Sequence, residues 1–146
     1  MFDAPAPPFY LDRAVWERER HEIWAKEWIH VGYRHQVARP GGHVTDDIAG
    51  WRIFVHRGGD GELRAFHNVC PHRAGPIVYD GEGCQQSLTC RYHGWSFGTD
   101  GALRVARDFG GEIPDGLGLT PIRVHDWRGL IFVCLSPETP AFDEWF

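Results

Sequence analysis

Hydrophobic positions along the chain fall into two regimes. Between Asp12 and about Trp28 the apolar residues Val15, Trp16, Ile23, Trp24 and Trp28 recur near one face at helical spacing, with charged residues between them. This pattern predicts an amphipathic helix with Asp12 as its N-cap. Residues 1–11, rich in proline and alanine, read as an extended arm before it, and Gly32 is the first breaker after it. Beyond that glycine the pattern changes to short apolar runs: 43–48, 51–57, 62–68, 87–89, 95–97, 102–105, 120–126 and 130–135. Clusters such as Pro40-Gly41-Gly42, Gly58-Gly59-Asp60-Gly61, Asp80-Gly81-Glu82-Gly83 and Thr99-Asp100-Gly101 separate them. Short strands divided by Gly/Asp turns predict an all-β domain of antiparallel sheets, preceded by one helix. The weakly periodic stretch 107–118 reads as a long loop.

Composition narrows the class. A length of 146 residues is one domain's worth. The net charge of −5 is spread along the chain, which excludes the basic footprint of a nucleic-acid binder. The longest apolar run, Leu130 to Leu135, is far shorter than the roughly 20 residues that span a bilayer, so no membrane association is expected. Met1-Phe2-Asp3-Ala4-Pro5 has no secretory pattern, and the expected location is cytoplasmic. In that setting the four cysteines read as metal ligands or small buried hydrophobes rather than as disulfides. Cys84 and Cys134, which belong to no motif, are expected to be buried hydrophobes.

Two segments stand apart: Cys70-Pro71-His72-Arg73-Ala74-Gly75 and Cys90-Arg91-Tyr92-His93-Gly94-Trp95. Each follows a predicted strand and holds one cysteine and one histidine, as C-x-H and, seventeen residues later, C-x-x-H. Two loops from adjacent hairpins could close on a metal, each offering one thiolate and one imidazole. The alternatives are a buried cysteine pair with two surface histidines, or a structural zinc with two thiolates and two imidazoles. Zinc fingers usually keep both cysteines on one arm, whereas each arm here is mixed.

The pair of segments resembles the cluster-binding motif of Rieske proteins, which carry a [2Fe–2S] centre. The resemblance implies a Rieske fold with two cluster-binding hairpin loops, in which Cys70 and Cys90 hold the inner iron and His72 and His93 the outer one. Two ferric ions, two sulfides and two thiolates sum to zero charge, so an added electron is accepted more readily than by a cluster with four thiolates. Rieske potentials accordingly lie at roughly −150 to +300 mV, against about −400 mV for all-cysteine plant-type ferredoxins. Gly75 and Gly94 would let backbone N–H groups approach the sulfides. Arg73 and Arg91 read as surface cations, and Trp95 and Phe97 as core residues. Respiratory Rieske proteins add a disulfide between the loops. The corresponding places here are Gly75 and Tyr92, so that bridge is absent.

The flanking sequence is similar to the Rieske domains of non-haem iron oxygenases, of the large-subunit type of aromatic-ring-hydroxylating dioxygenases. It carries Trp28-Ile29-His30-Val31-Gly32, the approach Arg64-Ala65-Phe66-His67-Asn68-Val69-Cys70, Asp100-Gly101, and Gly129-Leu130-Ile131-Phe132-Val133. Arg91 stands where such loops often have proline. The resemblance divides the chain into an arm and helix (1–35), the Rieske domain (36–140) and the start of a linker (141–146). It implies a catalytic domain beyond Phe146 with a mononuclear Fe(II), and a trimer-like homo-oligomer. Electrons would pass from a reductase or ferredoxin to that iron, in the same or a neighbouring subunit, to hydroxylate or demethylate an organic substrate with O2. A stand-alone Rieske-type ferredoxin is the alternative. The carboxylate-x-x-His-x4-His pattern of the second iron occurs once, as Glu27, His30 and His35, but on a segment the Rieske resemblance already accounts for. No second iron is expected there, and these residues alone are expected to transfer electrons without oxygenating.

Overall fold

The computed structural model describes residues 6–146. Helix α1 (Arg13–Glu19) begins where the sequence places it, with the Asp12 carboxylate accepting from the Ala14 N–H at 2.8 Å. It gives way to a single π turn, Arg20–Trp24, so the helix is shorter than the apolar pattern predicts. Its apolar face is also not inside: Trp16, Ile23 and Trp24 are 43%, 50% and 39% exposed. What ties the segment to the sheet is Arg20, which donates to the Ala49 carbonyl and stacks 4.5 Å from the Trp51 ring. Trp28 turns the other way and is buried with Cys134 and Phe142. Of the expected extended arm, residues 1–5 lie outside the described residues, and Pro7–Tyr10 form a 3-10 turn.

Ten strands follow: β1 (Ile29–Tyr33), β2 (Gly42–Ile48), β3 (Trp51–Arg57), β4 (Leu63–His67), β5 (Glu82–Cys84), β6 (Leu88–Thr89), β7 (Ser96–Phe97), β8 (Leu103–Val105), β9 (Pro121–Trp127) and β10 (Leu130–Cys134). All pairs are antiparallel, in a seven-stranded sheet of order β1-β10-β9-β4-β3-β2-β5 and a three-stranded sheet β6-β7-β8. Each of the eight predicted runs carries a strand. The other two, β1 and β5, formed where breakers were read. Gly32 is not a terminator but sits at a bulge in β1. A side chain there would meet Val44 of β2 at 3.2 Å, because the large sheet curls until its first strand approaches β2. β5 pairs along the end of β2 through Gly42 and Cys84, within what reads as a turn.

The pairings also cross residue 35. A boundary after residue 35 cuts off β1, which is hydrogen-bonded to β10. The last residues form a short helix, α2 (Phe142–Trp145). Phe142 is buried there and stacks 4.3 Å from His125 at an interplanar angle of 10°.

The curled sheet encloses an aliphatic core: Val31, Val37, Val44, Ile48, Ile53, Val55, Ala65, Ile122, Ile131 and Val133. Alternate residues of β3 and β4 point to the opposite face, where Phe54 and Phe66 meet Ile77, Val78, Leu88, Trp95, Phe97, Leu119, Cys70 and Cys90. This second core joins the small sheet to the large one and carries both cysteine-bearing loops. Beside it, His43 and His56 face each other across β2 and β3 and are buried. Burial pushes both rings below the usual histidine range and keeps them neutral. His56 Nε2 lies 3.3 Å from the Gln85 carbonyl, in the segment that leads to the second loop.

Candidate metal centre

The two loops share one backbone plan. In the first, the Cys70 N–H donates to the Gly75 carbonyl at 2.8 Å and the Ala74 N–H to the Cys70 carbonyl at 2.9 Å. In the second, the Cys90 N–H donates to the Trp95 carbonyl and the Gly94 N–H to the Cys90 carbonyl, both at 2.9 Å. The fourth residue after each cysteine takes a left-handed conformation, Ala74 at φ 56° and Gly94 at φ 72°. Each turn thereby directs its cysteine inward and its histidine toward the loop tip.

The donors assemble as two pairs. Cys70 and Cys90 are each 2% exposed, and the two thiols are near enough that Cys90 acts on the titration of Cys70. The His72 and His93 rings lie 4.6 Å apart at 74°, half-exposed above them. Two bridged metals taking two donors each fit this arrangement, with buried sulfurs for one and imidazoles for the other. Burial pushes the Cys70 thiol up, and nearby Cys90 adds to this. The backbone N–H groups of His72 and Arg73 are directed at its sulfur and favour the thiolate. His72 is pushed down, first by desolvation and then by His93 and Arg73, which favours the neutral ring that a metal requires.

The surroundings make room for a bulky group. A Cβ on Gly75 would lie 3.1 Å from Cys90 Sγ and 3.2 Å from Tyr92 Cβ, so glycine keeps the cradle open. The same numbers bring together the two positions where respiratory Rieske proteins place a disulfide. Arg73 and Arg91 are exposed, and Arg91 stacks 4.8 Å from the Tyr79 ring. Trp95 and Phe97 are buried.

Two supporting residues escaped the sequence reading. The buried Asn68 amide donates to the Val78 carbonyl at 2.8 Å and accepts from the Ile77 and Val78 N–H groups at 2.8 and 3.1 Å, stapling the return of the first loop. The available signal was a polar residue closing an apolar strand just before Cys70. Trp95 is the other, since its indole lies flat against His72 at 4.7 Å and 7°. One expectation is corrected: Cys84 is exposed on the edge strand β5, its thiol 3.7 Å from the Pro40 carbonyl, because β5 has no layer over that face among the described residues. Cys134 is buried as expected. Glu27, His30 and His35 have other partners. Glu27 accepts from the Trp145 indole N–H, His30 meets Tyr33 and Phe132 edge-on, and His35 stacks on Tyr33. Among the described residues no helix is long and apolar enough to cross a membrane.

Fold and site together define a β-protein that offers a mixed cysteine–histidine donor set at the tips of two matched loops. Residues 27–111 match the family model of the Rieske [2Fe–2S] domain, and the chain belongs to that family, which binds a [2Fe–2S] cluster. It is 33% identical to the carnitine monooxygenase oxygenase subunit of Acinetobacter baumannii, over 93% of this chain and 39% of that one. It is 37% identical to the glycine betaine monooxygenase oxygenase subunit of Chromohalobacter salexigens, over 94% and 31%. Among solved structures, the quaternary ammonium Rieske monooxygenase CntA with L-carnitine superposes with a TM-score of 0.85 at 33% identity, covering 93% of this chain and 40% of that one. Naphthalene 1,2-dioxygenase gives 0.82 at 32%, covering 91% and 31%. The chain therefore spans about a third of the length of the relatives it matches.

Proposed function

We propose that Cys70, His72, Cys90 and His93 hold a [2Fe–2S] cluster, and that the chain is the electron-transfer part of a Rieske oxygenase subunit. When bound, such a cluster takes up and gives back one electron at a time. Cys70 and Cys90 would hold one iron in the second core, away from water. His72 and His93 would hold the other at the half-exposed tip, where a partner can approach closely. The observation that carries the reading is the separation of a buried thiol pair from an adjacent imidazole pair, which suits two bridged irons.

The oxygenase setting rests on the extent of the likeness. It covers 93% of the chain, so it reaches beyond the 27–111 core that a free Rieske-type ferredoxin would share. On this reading a reductase or ferredoxin supplies electrons, and the catalytic part, in the same or a neighbouring subunit, receives them at a mononuclear Fe(II) that activates O2. The structure of a quaternary ammonium Rieske monooxygenase, 33% identical to this chain, bears on inter-subunit electron transfer, which is consistent with a homo-oligomer here.

The test is anaerobic preparation of the chain followed by iron, sulfide and zinc analysis and electron paramagnetic resonance. Two irons and two labile sulfides per chain, with a rhombic signal on reduction, are expected. Stoichiometric zinc without iron after reconstitution overturns the assignment.

A further inference from the structure

Trp95 connects three parts of the site. Its backbone carbonyl accepts from the Cys90 N–H and so closes the second loop. Its indole N–H donates to the Arg107 carbonyl at 3.2 Å, and Phe109 packs edge-on at 5.6 Å, which anchors the ring to the long connection after β8. Its face then covers the His72 ring of the opposite loop, at 4.7 Å and nearly parallel. His93 is supported differently. Its aromatic neighbour is Tyr92, from the same loop and 65% exposed.

Resting on the ligand reading above, we infer that Trp95 is a positioning residue for His72, fixing the plane of that imidazole and setting the electrostatic environment of its iron. His72 lies between exposed Pro71 and Arg73, and the aromatic rings packed against it, His93 and Trp95, both come from the opposite loop. The indole supplies the missing constraint from a buried, doubly anchored side chain. A π face carries negative electrostatic potential, so it opposes the extra negative charge of the reduced state. Trp95 therefore holds the reduction potential down.

The experiment uses the full chain with its cluster and compares Trp95→Phe with Trp95→Met. Phenylalanine keeps a ring over His72, and its potential and rhombic signal should stay close to wild type. Methionine removes the π face, and its potential should move upward with altered g-values while two irons are retained. Both variants lose side-chain volume, so both should melt at lower temperature. A role in packing alone would lower both melting temperatures and leave both potentials native, and that result overturns the inference. Should the methionine variant fail to retain iron, fluorinated tryptophan at position 95 keeps the shape and weakens the π face. An upward shift there supports the inference and an unchanged potential overturns it. A wild-type chain lacking two irons and the rhombic signal would instead refute the ligand reading.

Discussion

The two loops repeat one hydrogen-bonded turn and fill it differently. Both close through an N–H from the cysteine to the fifth residue and an N–H from the fourth residue back to the cysteine. Yet the histidine stands two residues after Cys70 and three after Cys90, and the outside support differs. The first loop is held from behind by Asn68, while the second is held by being the hairpin between β6 and β7, with Trp95 at its exit. The backbone plan thus sets where the sulfurs go, and non-equivalent side chains set how each imidazole is presented. Near-symmetry is enough to bring two thiols together, and its breaking sets the two rings at 74° rather than side by side.

That comparison is tested most severely by removing a thiol. Cys70→Ser and Cys90→Ser should each abolish iron and sulfide binding completely, since the thiolate-held iron is left with one protein thiolate, and cluster binding also stabilises both loops. Retention of iron in either variant, measured by elemental analysis, would show that the loops are not equivalent partners. Next in size, His72→Cys and His93→Cys add negative charge at one iron. Each potential should fall toward the roughly −400 mV of all-thiolate ferredoxins, as read by redox titration. An unshifted potential would identify a ring that is not a ligand.

Asn68→Ala acts on the first loop alone. It leaves the Ile77 and Val78 N–H groups and the Val78 carbonyl buried without partners, which should cost about 2–4 kcal/mol of stability in chemical denaturation. The smallest effects come from the shared left-handed position. Ala74→Gly should stabilise by about 0.5–1 kcal/mol, and Gly94→Ala should destabilise by about 1 kcal/mol or more. A Cβ at Gly94 would also lie 3.2 Å from the Arg107 side chain. Responses of opposite sign would confirm that one turn was used twice, and responses of the same sign would refute it.

Chemistry was the most legible part of this molecule. A cysteine and a histidine within three residues, twice, between glycine-rich turns, is a pattern that donor chemistry explains without any knowledge of the fold. Eight of the ten strands were legible too, because β-branched and aromatic runs between Gly/Asp turns have few other ways to satisfy their backbone. Strands β1 and β5 were not. Gly32 and the Asp80-Gly81-Glu82-Gly83 cluster read as breakers, and pairing with distant partners, β10 and β2, makes these segments strands. The exposed face of α1 shows the converse, since an apolar stripe at helical spacing signals amphipathicity without saying what, if anything, covers it.

The sequence by itself thus determined the donor types, their spacing and the antiparallel class, because these follow from local chemistry and from turn residues with few conformational choices. Only the tertiary structure decided that the two thiols meet in one buried core while the rings stand above them. It also decided that Trp95 lies under His72, that Asn68 ties off the first loop, and that Cys84 faces outward. Each of these depends on how separate segments are placed in space rather than on local pattern. Such contacts depend on how the curled sheet brings its faces together, and no window of sequence carries that information.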